Sequence, residues 1–169
     1  MLPSFEGKQI LLRSLQIGNQ KLRKTIIQGM IDSGIFWIHK NKYQLLFSGV
    51  QKDVNRILWL TNLLHKYKQV TFPQTSEVFS FLTRAILEDI GETRETILYQ
   101  LLLLKDNPLY IKAVRLLLSK KSETKALALS SLQDMLPKKL YRLVRMALED
   151  VKAEERSVVQ VDITPEQVV

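Results

Sequence analysis

Two histidines and no cysteine leave this chain few groups that could attack a substrate or hold a transition metal. His39 and His65 stand 26 residues apart, with none of the short spacings that bring two ligands onto one metal ion. The paired carboxylates Glu88-Asp89, Glu149-Asp150 and Glu154-Glu155 are neighbours in stretches of helical period. Adjacent helical residues point about 100° apart, so none of these pairs can work as an acid–base couple on one bond. The six glycines stand singly, which excludes a phosphate-cradling loop, and no Gly-x-Ser-x-Gly elbow occurs. The reading is therefore not an enzyme, with no catalytic, cofactor-binding or metal-ligating residue expected.

What remains is cationic and aromatic. The net charge of +8 is lopsided: residues 1–78 carry 11 Lys/Arg against 4 Asp/Glu, and residues 79–169 carry 14 against 13. Lys40, Lys42, Lys52 and Arg56 lie in the basic half among Trp37, Tyr43 and Trp59. Lysines interleaved with aromatics are the ingredients of a single-strand nucleic-acid groove. They equally suit an anionic membrane surface or an acidic protein partner. Trp37 and Tyr43 also read as core, and the charges as a solvated face. A second basic set, Lys138, Arg142 and Arg145, falls on the outward side of the last helical stretch, with Glu149 and Lys152. These seven cations, Lys40, Lys42, Lys52, Arg56, Lys138, Arg142 and Arg145, form the candidate partner-binding surface.

The elements that must carry them are helices. From Phe81 to Asp150 apolar residues recur at helical spacing, with Leu82, Ile86, Ile90, Ile97, Leu101 and Leu104 in the first pattern. Asn107-Pro108, Ser122 and Pro137 restart the chain three times. Upstream, Ser4 caps a helix over about 5–17, and Asn19 caps a second over about 20–33. Leu22, Ile26 and Met30 occupy one side of that second helix and Ile27 and Ile31 the other, so it should be sandwiched. Gly29, in its middle, implies a close backbone contact. Ile35–Ile38 is an apolar link. A long third helix, about 41–69, shows one stripe through Tyr43, Leu46, Phe47, Val50, Val54, Ile57 and Leu64, with Gly49 expected to kink or split it and Trp59 nearly opposite the stripe. Residues 69–75, with Pro73, are the one proper loop. The remaining helices are expected over 76–105 with a bend at Gly91, 108–118, 122–135 and 137–155.

At 169 residues this is one domain, large enough to need no disulfide or metal staple. Unbroken apolar runs such as Leu101–Leu104 are far short of a membrane span, and the opening residues lack a signal-peptide pattern. Cysteine-free composition leans toward a reducing compartment. Residues 1–155 are expected to form the helical domain and 156–169 a tail or linker. There Val158–Ile163 has β character before Thr164-Pro165-Glu166 starts an element that goes no further, as in a fragment cut near a domain boundary or a mobile tail.

Asn19–Ile26 and Ser122–Leu129 share a pattern at an offset of 103 residues: a helix ends in a tight turn and a polar cap opens the next. That pattern predicts an all-α chain of about seven helices in an α-α superhelix, a HEAT-like or armadillo-like solenoid. Leu12-Arg13-Ser14-Leu15, Asn19-x-x-Leu22-Arg23, Leu82-x-Arg84-Ala85-Ile86-Leu87 and Ala126-Leu127-Ala128-Leu129-x-x-Leu132-Gln133-Asp134-Met135-Leu136, followed by Leu140 and Leu148-Glu149-Asp150, resemble one group in particular. It is the helical-repeat domain on the soluble side of bacterial transporters of the ATP:ADP-antiporter and major-facilitator type, often next to a cyclic-nucleotide-binding domain. The resemblance covers roughly 11–150. Ser130-Ser131 and Gln133-Asp134 depart from it, standing where the family tends to have Glu-Leu-Leu-Asp. It implies a non-catalytic, cytoplasmic interaction or regulatory module at the inner face of a membrane, docking protein domains of the same full-length chain or an anionic membrane surface, with no cofactor. The alternative is a nucleic-acid-binding α-solenoid that uses the basic N-terminal half.

Overall fold

The computed structural model describes residues 13, 19–34, 40–69, 76–104, 107–119 and 122–149. These residues form an all-α fold with six helices and no strand: α1 Gln20–Asp32, α2 Lys40–Gln69, α3 Ser76–Leu102, α4 Pro108–Leu118, α5 Ser122–Gln133 and α6 Lys138–Leu148. Apart from Arg13, the expected helix over 5–17 lies outside the described residues, as do the link over 35–38, residues 150–155 of the expected last helix and the tail over 156–169.

The local signals that start and stop helices act where they stand in sequence. Asn19 Oδ1 accepts the Leu22 amide at 3.1 Å and opens α1. Asn107 Oδ1 accepts the amides of Leu109 and Tyr110 at 2.9 and 3.2 Å, with Pro108 in the first turn of α4 where its missing N–H costs nothing. At the end of α1, Gly34 takes a left-handed φ of 67° and its amide reaches Ile31 O at 2.9 Å, a closure that favours glycine. Pro137 stands just before α6. That helix ends at Leu148, because Glu149 turns extended (φ −90°, ψ 146°), several residues short of the expected stop near 155.

Helix α3 is the hub, touching α1, α2, α4 and α6. It runs antiparallel to α2, since the cross-links Asp53–Gln100 and Arg56–Asp89 advance in opposite directions along the two helices. Ile86, Ile90, Ile97 and Leu101 of α3 are buried together with Leu46, Val50, Val54, Ile57 and Leu64 of α2. Helices α4 and α5 pack on each other, and α6 packs on α5, α3 and α2. Leu132, Leu140 and Val144 are wholly or almost wholly enclosed.

Helix α2 runs unbroken through Gly49, so the glycine does not split it, and α3 runs unbroken through Gly91. Gly29 is exposed, and among the described residues a Cβ there would meet nothing within 4 Å, so none of them approaches its backbone closely. The two-sided apolar reading of α1 also changes. Ile27, Met30 and Ile31 are buried and Ile26 half-buried, but Leu22 is exposed and Arg23 points inward in its place.

That inward arginine fastens the first three helices. The Arg23 guanidinium donates to Asp53 Oδ1 of α2, and Gln100 Nε2 of α3 donates to Asp53 Oδ2 at 2.7 Å. All three side chains are all but sealed from solvent. Burial pushes the Asp53 carboxyl up from its ordinary value, against the pull of Arg23, Gln100 and Arg56. Around this buried link, α1 is tied to α3 by a ring of surface contacts. Gln20 Nε2 donates to Thr93 Oγ1 at 2.7 Å, Lys21 faces Glu92 at 3.8 Å, and Lys24 pairs with Glu95 while lying 5.6 Å above the Tyr99 ring.

Candidate interaction face

Helix α2 carries six Lys/Arg (Lys40, Lys42, Lys52, Arg56, Lys66 and Lys68) and a single acid, Asp53. Asp53 faces inward and is taken up by Arg23 and Gln100. The helix therefore has no carboxylate of its own to offset the cations on its outer side. This is where packing sets electrostatics: the buried link in the core leaves a one-signed face outside.

Along that face Lys52, Trp59 and Lys66 recur every seven residues, so each lies about 20° around the helix from the next and the three span only about 40°. All three are exposed, as are Ser48 and Asn62 beside them. Trp59 is 62% exposed, which is unusual for a side chain that normally buries most of its area. The core stripe of the helix lies on the other side, as its spacing predicts, and solvent rather than a neighbouring helix covers the indole.

The seven expected surface cations divide as follows. Lys52 and Arg56 share the outer side of α2, one turn apart. Arg56 forks onto Asp89 of α3, Nη2 to Oδ2 at 2.7 Å and Nε to Oδ1 at 3.3 Å, so its charge is largely answered within the fold. Lys40 and Lys42 lie in the first turn of α2, and their side chains are outside the described ones. Lys138, Arg142 and Arg145 are exposed at successive turns of α6, which packs on α2. Arg145 Nε donates to Glu149 Oε2 at 2.6 Å, one turn on, which offsets that end of the row. Lys66 and the one-signed character of the α2 face were missed in sequence. The seven-residue step from Lys52 through Trp59 gives Lys66, but the neutralisation of Asp53 from inside cannot be read without the partner helix.

Of the aromatics, Tyr43 is half-buried and stacks on Phe47 with ring centroids 6.2 Å apart, and Trp37 lies outside the described residues. His65 is exposed, and His39 is outside the described residues. Among the described residues no group of three or more His, Asp or Glu is gathered so as to hold a metal ion, and no helix is long and apolar enough to cross a membrane. No protein-family model, curated protein or solved structure matches the chain.

Proposed function

We propose that this chain is a non-catalytic helical interaction module whose working surface is the outer face of α2, with Trp59 at its centre. The observation that carries the reading is the combination on that helix of an exposed indole, flanking Lys52 and Lys66, and an only carboxylate held inside the fold. An exposed aromatic at the middle of a cationic face is the usual anchor of an interface, with the charges steering an anionic partner onto it. The partner is an acidic surface of a neighbouring protein domain. The antiparallel α2–α3 and packed α4–α5 helix pairs suit a HEAT-like arrangement, although α6 returns to α2 and contacts are not confined to successive helices. The resemblance of residues 11–150 to the soluble helical-repeat domain of transporter-type proteins supports the same role, at the inner face of a membrane.

A second reading, nucleic-acid binding, rests on the Lys52–Trp59–Lys66 spacing, since a lysine-flanked indole can stack on an unpaired base. Salt dependence separates the two. Binding that rests on phosphate neutralisation falls steeply with salt, at a log–log slope of about −0.9 per phosphate on duplex DNA. Weak retention of duplex or single-stranded DNA at low salt, gone near physiological salt, is expected for a module that docks protein. Tight or sequence-selective binding at physiological salt, lost on Lys52→Glu with Lys66→Glu, would overturn the docking role in favour of the nucleic-acid one.

A further inference from the structure

On the other side of α3, where it passes the junction of α4 and α5 and the end of α6, lies a solvent-open cleft of about 470 Å³. Its size falls in the range of small-ligand sites, about 300–1,000 Å³. Leu98, Leu117 and Leu129 are its buried floor. Gly91 opens it from above: among the described residues a Cβ here would meet nothing within 4 Å, so no packing contact with them requires a glycine. A glycine inside a helix weakens it relative to alanine, and here its effect is to leave the cleft unfilled.

The rim carries charges of both signs, and most are engaged. Glu95 pairs with Lys24, and Glu149 pairs with Arg145. Arg94 Nε donates to Ala147 O at 2.7 Å, binding α3 to the last turn of α6. Lys125, exposed at the rim, makes no ion pair among the described residues. An apolar floor with one uncommitted cation at its edge selects a ligand with an apolar body and a single negative charge.

We propose that this cleft binds an amphiphilic monoanion, with its hydrocarbon on Leu98, Leu117 and Leu129 and its anionic head at Lys125. The site is separate from the α2 face, and it stands or falls independently of the docking role. The probe is sodium decanoate below its micelle concentration, titrated into the full chain and followed by amide chemical shifts, with decyltrimethylammonium as the same tail bearing the opposite charge. Shifts are expected at Gly91, Leu98, Ala126 and Leu129. Lys125→Glu should weaken decanoate at least tenfold and reverse the preference between the two probes. Gly91→Leu, which fills the cleft, should abolish binding without lowering the melting temperature. If that variant melts early, Lys125→Glu decides alone. Equal binding of both probes, no decanoate binding, affinity untouched by Lys125→Glu, or shifts gathered around Trp59 would each overturn the assignment.

Discussion

Gly49 of α2 lies directly against the side chain of Gln100 on α3: a Cβ at position 49 would stand 3.1 Å from Gln100 Oε1. The glycine is there to seat an amide that in turn holds Asp53. Alanine would gain about 1 kcal/mol of helix propensity. The Gln100 side chain is nearly sealed from solvent and bonded to Asp53 at 2.7 Å, so it has little room to withdraw. Gly49→Ala should therefore destabilise by about 1 kcal/mol, read from the urea midpoint. In a Gln100→Ala background the same change should become stabilising. An additive double-mutant cycle would show that the two residues are not coupled.

The Arg23–Asp53 pair gives a larger effect. Removing one member leaves a buried charge without its partner, which costs about 3–5 kcal/mol. Asp53→Ala should fall in that range by urea denaturation. Replacing both residues with apolar ones, Arg23→Met with Asp53→Leu, should recover much of the loss. Asp53→Ala at less than about 1 kcal/mol would mean that the guanidinium finds water or another acceptor.

Tyr110 links stability to alkaline pH. Its ring is fully enclosed, its hydroxyl donates to Leu101 O at 2.8 Å, and burial pushes its ionisation well above the ordinary tyrosine value of about 10. Above pH about 10 the unfolded chain loses this proton and the folded chain keeps it. The contribution is therefore complete below that pH and declines as pH rises toward the folded value. Lys24, raised chiefly by its hydrogen bond to Glu95, and Tyr43, raised by burial, act in the same direction. Tyr110→Phe should cost about 0.5–1.5 kcal/mol at neutral pH through the lost hydrogen bond. It should also reduce the fall in stability between pH 10 and 11 by up to about 1.4 kcal/mol. An unchanged alkaline slope would place the lost protons elsewhere.

What the sequence shows of this fold is what depends on near neighbours. Asn19, Asn107-Pro108 and Pro137 mark helix ends because each satisfies or removes a backbone donor within its own first turn. Leu129 and Leu132 are legible as core from helical period, and both are buried. The period fails at Arg23, which occupies an inward position of α1 only because Asp53, 30 residues on, meets it there, held in turn by Gln100. The reason for Gly49 is likewise not local, since it answers to Gln100 across a helix pair. Trp59 was legible as lying off the apolar stripe of its helix, yet only the packed structure shows solvent beyond it.

Exposure of Trp59 separates its role from the core's. A side chain 62% exposed has little to lose in folding, so Trp59→Ala should shift stability by no more than about 0.5 kcal/mol. Leu132→Ala, at a fully enclosed position, should cost about 2–5 kcal/mol and gives the comparison. If the α2 face docks an acidic partner, Trp59→Ala should remove most of the binding while the urea midpoint stays in place. Lys52→Glu with Lys66→Glu should slow association and weaken its salt dependence, because the steering charges are gone while the indole remains. The readout is association kinetics against the acidic protein surface that this face is proposed to dock, at two ionic strengths. A Trp59→Ala variant that binds at the parent rate and dissociates no faster would remove this helix from the interface, and the α6 row of Lys138 and Arg142 would be the next surface to reverse.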